Sequence, residues 1–263
     1  MVNFQSSQFY KVEDLRKIIA FLRSERGCPW DREQTHESIR RNFLEETYEA
    51  CEAIDTGDSK LLCEELGDVL TQVIFHAQIE EEQGRFTLDD VADATCKKLI
   101  FRHPHIFGDT EASDSETVME HWDEIKRREK QQETVTQAME GVAKSLPATW
   151  RAEKIQAKAR KVGFDWSDAS GALHKVEEEA DELKAALQSG TGIAEEIGDL
   201  LFTVVNMARL AGVDPEEALH ATSDKFIRRF SYMEQAATDR GQALPDMTLD
   251  EMEALYQMGK ERL

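Results

Sequence analysis

The sequence predicts an all-α protein built from two tandem copies of one helical unit. Apolar residues recur at spacings of three and four over long intervals, only five prolines interrupt them, and the alternating patterns typical of strands are scarce. One carboxylate pattern, E-E-x-x-E and then E-E-x-G-D after a short gap, begins at Glu45 and again at Glu178. A doubled pattern of this length indicates a duplicated unit.

In the first copy the sequence predicts two long helices joined by a break at residues 55–59. The first of these helices carries an apolar stripe of Phe43, Tyr48, Cys51, Ala53 and Ile54. Gln83 and Gly84 end the second helix, and a further helix ends in Lys97, Lys98 and Arg102. Such short breaks favour antiparallel helix pairs.

The second copy repeats this order, with its break at residues 189–192. Its second acidic helix carries the stripe Leu200, Leu201, Val204, Val205 and Ala208. Asp214 is predicted to cap the next helix with Pro215 in its first turn, and Thr248 with Glu251 forms a capping-box pattern that begins the last helix. Gly67 and Gly198, inside the acidic patterns, predict close helix approach.

Three segments follow from this repeat. We expect a first domain over residues 1–108, a polar and partly helical linker over 109–146, and a second domain over 147–263.

Composition excludes several classes of protein. The net charge of −21 argues against a nucleic-acid binder, because no basic excess is present to neutralise phosphates. No segment approaches the ~20 apolar residues that span a bilayer, and residues 1–17 do not form a signal peptide. Four cysteines without C-x-x-C spacing favour buried thiols in a reducing compartment: Cys28, Cys51, Cys63 and Cys96. We therefore expect a cytoplasmic protein with no membrane or nucleic-acid partner.

The acidic pattern predicts a metal site. Glu179 and Glu182 are one turn apart on one helix, as are Glu196 and Asp199 on the next, so a hairpin brings four carboxylates together. Their mutual repulsion requires a cation, and Mg²⁺, for which Mn²⁺ can substitute, is the natural one beside a phosphate-bearing substrate. The same quartet occurs in the first copy as Glu46, Glu49, Glu65 and Asp68.

Cations for the phosphates are expected on the next helix. Lys225 and Arg229 are four residues apart and share a face, although a solvated surface is the alternative interpretation. Asn206 lies two turns beyond Asp199, where it can bind a phosphate or sugar or be a satisfied polar residue at a helix edge. His103 and His105 flank a proline and are predicted to form a structural turn. The sequence contains no P-loop, Rossmann or nucleophile-elbow motif.

Several motifs resemble those of the MazG family of nucleoside triphosphate pyrophosphohydrolases over nearly the whole chain. They are residues 27–31 (GCPWD), 34–35 (QT), 45–49 (EETYE), 65–68 (ELGD), 102–107 (RHPHIF) and 162–166 (VGFDW). The resemblance implies tandem all-α domains, each around a four-helix core, usually in a homodimer. It also implies broad Mg²⁺-dependent hydrolysis of NTPs or dNTPs to the monophosphate and pyrophosphate, which controls nucleotide pools.

The resemblance also assigns roles to individual residues. It places metal ligation on the second quartet, Glu179, Glu182, Glu196 and Asp199. Nucleotide or phosphate contacts fall on Lys175, Glu178, Glu195, Lys225 and Arg229, and we expect Asn206 to join them. Tyr256 stands where the tandem members often have Trp, followed by Lys260, and both are expected to contact the nucleotide. Glu178 is expected to help activate water, while Lys225 and Arg229 steady the phosphates.

The flanks of the two quartets predict that the second copy carries most of the activity. Phe75 stands in the first copy where the second has Asn206, and Phe101 stands where it has Arg228. The first copy is then mainly structural or regulatory. Two alternatives stay open: a narrow pyrophosphatase for one substrate, such as dUTP or a damaged nucleotide, and a non-catalytic nucleotide-sensing or interaction module.

Overall fold

The fold is all-α over the part of the chain that the structure describes, as the sequence predicts. The computed structural model describes residues 9–108 and 133–262, together with Asp114, Thr117, Val118, Trp122, Ile125, Lys126 and Glu129. These residues form helices and turns, and no strand occurs among them. The chain divides into two compact units, Met1–Ile125 and Lys126–Leu263. The duplication in the sequence thus corresponds to two structural units.

The first unit is organised around one long helix, α4. Its helices are α1 (Val12–Leu22), α2 (Pro29–Glu33), α3 (His36–Thr56), α4 (Ser59–Glu82), α5 (Leu88–Arg102) and α6 (Pro104–Phe107). Helices α1, α3 and α5 each pack against α4, which gives the expected four-helix core. Its buried apolar centre contains Ile19, Ile39, Ile74, Phe75 and Ile79.

The α3–α4 turn shows why two acidic helices form a hairpin here. Gly57 ends α3 with φ of 68°, a left-handed conformation that glycine adopts without strain. The carboxylate of Asp58 then caps α4 by accepting from the backbone N–H of Lys60 at 2.9 Å and of Leu61 at 3.1 Å. The predicted break at residues 55–59 is confirmed.

The second unit repeats the hairpin. Its helices are α7 (Val135–Glu140), α8 (Ala148–Arg160), α9 (Ala169–Ser189), α10 (Ile193–Leu210), α11 (Pro215–Asp239) and α12 (Leu249–Arg262), with a 3₁₀ turn at Leu244–Asp246. Helices α9 and α10 form the hairpin, α10 packs against α8, and α11 packs against α8, α10 and α12. Met233, Ala237, Met247 and Leu255 are buried together where α11 meets α12.

Caps fix the helix ends that the sequence predicts in this unit. Gly190 and Gly192 adopt φ of 72° and 75° between α9 and α10. The Asp214 side chain caps α11, with Pro215 as its first residue. Thr248 precedes α12, and its backbone N–H donates to the Glu251 carboxylate at 2.8 Å. All three predicted boundaries are confirmed.

The predicted linker has a helical end that packs into the second unit. Helix α7 lies within residues 109–146 and packs against α8, and Ala138 and Val142 are buried. Most of residues 109–132, which carry most of the predicted linker, lie outside the described residues.

Two packing predictions are wrong. All four cysteines are free, but Cys51, Cys63 and Cys96 are exposed rather than buried and Cys28 is half-buried. Their helix faces are not covered by other parts of the described chain. Apart from the backbone of its own helix, a Cβ built on Gly67 or on Gly198 would have no heavy atom within 4 Å, so neither glycine marks a close helix approach. The small residues buried in the hairpins are instead alanines, Ala50, Ala53, Ala77, Ala172 and Ala186.

Apolar side chains remain on the outside of both units. In the first unit α5 exposes Leu99, Ile100 and Phe101, and in the second unit α11 exposes Leu219, Phe226 and Ile227. None of the described helices is both long and apolar enough to cross a membrane.

Candidate metal and nucleotide site

Three members of the predicted quartet converge in the second unit. Glu179 of α9 and Glu196 and Asp199 of α10 each place one carboxylate oxygen within 4.8 Å of the other two. The hairpin produces this meeting because Glu196 and Asp199 are one turn apart and face Glu179. Glu182 follows Glu179 by one turn and is exposed, and its charge acts on Glu196.

The electrostatics of this cluster favour the binding of a cation. Burial and then the charges of Glu182, Asp199 and Glu179 raise the pKa of Glu196 above its ordinary value. Oε2 of Glu179 and Oε2 of Glu196 are both buried without a hydrogen-bond partner, although a buried carboxylate oxygen normally has one. Convergent, all-oxygen donors of this kind fit a hard divalent cation such as Mg²⁺.

Lys175 supplies the positive charge nearest to the cluster. Its Nζ lies 2.8 Å from Oε1 of Glu179 and 2.9 Å from Oε1 of Glu178. Hydrogen bonds to Glu179 and then Glu178 raise the pKa of the lysine, so it stays charged. The bond to Oε1 of Glu179 leaves Oε2 available to a metal. Glu195 precedes Glu196 on α10, is exposed, and adds to the negative charge at Glu196.

The other predicted nucleotide contacts lie on α11 and α12. Lys225 is exposed and Arg229 is half-buried on α11. On α12, Tyr256 is half-buried, with its ring centroid 5.7 Å from that of Phe226, and Lys260 is exposed. No hydrogen bond or ion pair between described residues joins these side chains to the carboxylate cluster.

Asn206 belongs to a buried network rather than to an open surface. Its Nδ2 donates to Oδ1 of Asp165 at 3.1 Å, and its Oδ1 accepts from Nε of Arg209 at 3.1 Å. Arg209 also pairs with Asp165, and both side chains are buried. Burial alone would raise the pKa of Asp165, but the hydrogen bonds from Arg209 and Asn206 outweigh it and lower the pKa.

Sequence reasoning missed two side chains near this network. Arg209 lies three residues after Asn206 on the same helix face, so its spacing could have indicated a contact between the two side chains. Gln156 of α8 is buried, and its Nε2 donates to the backbone oxygen of Phe202 at 2.7 Å. That contact joins residues 46 positions apart, so no local pattern could have indicated it.

The first unit gathers a similar but different cluster. Glu46, Glu49 and Glu65 place oxygens within 4.8 Å of one another, while Asp68 lies outside that group. Burial and neighbouring charges raise the pKa of Glu46 and of Glu65. Among buried carboxylate oxygens of the described residues, only those of Glu179 and Glu196 lack a partner.

The flanks of the two clusters also differ. Asn42 precedes Glu46 by four residues, at the position that Lys175 occupies before Glu179. Phe75, the counterpart of Asn206, is buried in the apolar core, with the guanidinium carbon of Arg23 5.0 Å from its ring centroid. The first cluster therefore has neither the lysine nor the polar network of the second.

Comparison with known proteins identifies the family. The model of the MazG nucleotide pyrophosphohydrolase domain matches residues 34–107 and again 169–233. The nucleoside triphosphate pyrophosphohydrolase/pyrophosphatase MazG of Thermotoga maritima is 43% identical over 94% of this chain and 95% of its own length. A nucleoside triphosphate pyrophosphohydrolase of Escherichia coli K12 is 41% identical over 96% of this chain and 98% of its own length. With one match on each acidic hairpin and similarity along nearly its whole length, the chain belongs to the MazG family.

Proposed function

We propose that the second unit hydrolyses nucleoside triphosphates, both NTPs and dNTPs, to the monophosphate and pyrophosphate with Mg²⁺, for which Mn²⁺ can substitute. The observation that carries the proposal is the cluster of Glu179, Glu196 and Asp199 with two buried, unpartnered carboxylate oxygens. Two relatives that match this chain along nearly its whole length are named nucleoside triphosphate pyrophosphohydrolases.

The residues present fit a metal-assisted hydrolysis. Glu179, Glu182, Glu196 and Asp199 would hold Mg²⁺. The ion would supply positive charge that neutralises the phosphates and would lower the pKa of a water molecule. Glu178, whose carboxylate accepts a hydrogen bond from Lys175, is the residue that we propose as acceptor of a proton from the attacking water. The water oxygen forms a new bond to the α-phosphorus, and the bond from this phosphorus to the oxygen that bridges the α and β phosphates breaks. The products are the monophosphate and pyrophosphate.

Positive side chains are needed where pyrophosphate gains charge. Lys225 and Arg229 of α11 are the candidates, because both stand on the helix that follows the acidic hairpin and neither is tied to a carboxylate of the cluster among the described residues. Charge-assisted contacts from such cations stabilise a leaving phosphate.

The first unit is proposed to be structural or regulatory. Its cluster lacks a lysine at the position of Lys175. Phe75, a residue of the apolar core, stands where the second unit has Asn206 of the polar network. Without a lysine at the position of Lys175, the first cluster would neutralise substrate phosphates less well than the second.

We also propose a cytoplasmic homodimer. The apolar side chains exposed on α5 and α11 are the kind of surface that a second copy covers. Four free thiols fit a reducing compartment.

The breadth of substrate use is tested with the purified full chain, Mg²⁺ and a panel of the standard NTPs and dNTPs, dUTP and oxidised dNTPs. Pyrophosphate release from all the standard substrates is expected, with kcat/KM values within about tenfold of each other, a range that differential binding of one contact covers. Release from dUTP alone, or from a damaged nucleotide alone, would replace the broad function with the narrow one.

A further inference from the structure

Two histidines of the first unit meet at the end of the acidic hairpin that is remote from its turn. Nδ1 of His36, the first residue of α3, lies 2.7 Å from Nδ1 of His76 on α4. The two ring planes are inclined by only 7°, with centroids 5.0 Å apart. Two ring nitrogens repel each other at this distance when both carry lone pairs or both carry protons, so the contact requires one proton between them.

Glu80 fixes the role of the His36 ring. Nε2 of His36 lies 2.5 Å from Oε1 of Glu80, which is buried. The hydrogen bond from Arg85 is the main cause that lowers the pKa of Glu80 to about 2, so near neutral pH this carboxylate is ionised and can only accept. The Nε2–H of His36 is therefore the donor to Glu80, and its Nδ1 is left to His76.

One proton between the rings is compatible with two charge states. When the pair is neutral, His76 donates its Nδ1–H to the lone pair on Nδ1 of His36. When the pair carries one positive charge, the imidazolium donates and the other ring keeps its lone pair. A second charge gives both rings an N–H at this contact, and the hydrogen bond is lost. Burial and then the charge of His36 lower the pKa of His76, which is the direction that a costly second charge produces.

The charged groups around the pair compensate one positive charge but not two. Glu80 is the acid bonded to the pair, and Arg85 already shares it. Glu37 and Arg40, beside His36 on α3, are exposed, so water screens them. On the helices that pack against α4, the ion pairs are Arg16 with Glu81 and Asp89, and Arg23 with Glu82.

The contact ties the start of α3 to the end of α4. His36 follows Thr35, the cap of α3, and Glu80 lies in the last turn of α4. At 1.5 Å per residue, Glu46 of the first acidic cluster lies about 15 Å further along α3 than His36. The cluster therefore lies between this contact and the turn at Gly57.

The second unit has no titratable counterpart of this contact. With the two acidic patterns aligned, the positions of His36, His76 and Glu80 are occupied there by Ala169, Met207 and Ala211. A pH response that depends on the two imidazoles is therefore confined to the first unit, and the second hairpin is its internal control.

We propose that His36, His76 and Glu80 form a pH-sensitive latch, which holds the start of α3 against the end of α4 while one proton lies between the imidazoles and opens when each imidazole carries its own. Histidine is the side chain that ordinarily titrates between pH 5 and 8. The latch gives the first unit a local response to acidification, which does not depend on the hydrolysis proposed for the second unit.

The direction of the response follows from proton binding. The open latch takes up a proton that the closed latch excludes, so opening becomes more favourable as pH falls below 6.5, the ordinary value for histidine. For one proton the gain is up to about tenfold per pH unit. Glu80 stays ionised throughout this range, because its pKa of about 2 lies far below it.

The test is hydrogen–deuterium exchange of the full chain at pH 7.5 and 5.0, read by mass spectrometry and corrected for the intrinsic exchange rates. Protection of the amides of residues 39–45, the first hydrogen-bonded turns of α3, should fall about tenfold or more at the lower pH. The matching amides of the second unit, residues 172–178, should keep their protection.

His76→Asn is the variant that removes titration from the latch. The asparagine amide can donate to Nδ1 of His36 or accept from it, but it does not titrate. Its protection over residues 39–45 should therefore differ by less than about twofold between the two pH values, a change well below that of one titrating group. His220→Asn, at an exposed position of α11, is the matched control and should lose protection as the wild type does.

Equal protection of residues 39–45 at both pH values in the wild type would overturn the proposal. A loss of the same size in His76→Asn would overturn it as well, since the response would then come from another group. A loss shared evenly by α1, α4 and α5 would be unfolding of the whole unit rather than opening of a latch, and would also count against it. The wild-type comparison is decisive even where His76→Asn does not fold.

Discussion

Lys175 and Glu179 form an ion pair one turn apart on α9, with Nζ 2.8 Å from Oε1. The pair holds one oxygen of the most buried acid in the cluster and leaves the other, Oε2, without a partner. The first unit has Asn42 where Lys175 would stand. The acidic cluster of the first unit therefore has no ion pair of this kind beside it.

Removing one carboxylate charge from each cluster in turn tests which of the two units carries the activity. Glu179→Gln should lower kcat/KM for pyrophosphate release about 100-fold or more, since loss even of an outer-shell partner typically reduces activity about 10–100-fold. Glu46→Gln, the matched change in the first unit, should alter it less than about threefold. A collapse of turnover in Glu46→Gln with activity retained in Glu179→Gln would assign catalysis to the first unit instead.

Glu196→Gln should stabilise the metal-free protein. Burial and neighbouring acids raise the folded-state pKa of Glu196, so its ionisation weakens the fold as pH rises above the ordinary value of 4.5. At pH 8 without metal we expect Glu196→Gln to have the higher Tm.

Added Mg²⁺ should then raise the Tm of the wild type more than that of Glu196→Gln, because a ligand that binds only the folded state stabilises it. Scanning calorimetry with and without Mg²⁺ measures both effects. A metal-free Glu196→Gln protein that melts below the wild type would contradict this account of the cluster.

Arg209→Met should destabilise the second unit by about 3 kcal/mol or more, because it leaves the buried Asp165 carboxylate without its cation. Arg160→Met, at an exposed position on α8, should change stability by less than about 0.5 kcal/mol. Urea denaturation measures both. Adding Asp165→Asn to Arg209→Met should recover part of the loss, and strictly additive losses would show that the two side chains are not coupled.

The first unit should lose stability in two steps on acidification. Burial and then the neighbouring His36 lower the pKa of His76, so its stabilising neutral form is lost as pH falls below the ordinary value of 6.5. The hydrogen bond from Arg85 is the main cause that lowers the pKa of Glu80 to about 2, so its contribution is lost only as pH falls from 4.5 towards 2.

His76→Gln should therefore make the urea midpoint depend less on pH between about pH 7 and 5. The loss of stability at lower pH, which comes from Glu80, should remain. His220→Gln, an exposed position in the second unit, serves as the control. An unchanged slope between pH 7 and 5 in His76→Gln would show that His76 does not drive the first step.

Local signals account for what the sequence predicted well. Helix hairpins, their glycine and aspartate caps, and the convergence of acids one turn apart depend on residues a few positions away. The burial of individual acids does not depend on local residues alone. Three acids of the quartet converge in each unit, but the acid left out of the cluster is Asp68 in the first unit and Glu182 in the second. The pairing of Arg209 with Asp165 spans 44 positions. The surroundings of Gly67, Gly198 and the thiols cannot be predicted from periodicity, because periodicity does not say which helix face another element covers.

The most direct test of the central claim is ³¹P NMR of ATP incubated with the full chain and Mg²⁺, with Glu179→Gln as the control. The account predicts AMP and pyrophosphate from the wild type and neither from the variant. ADP with phosphate, or unchanged ATP in the wild-type sample, would contradict it.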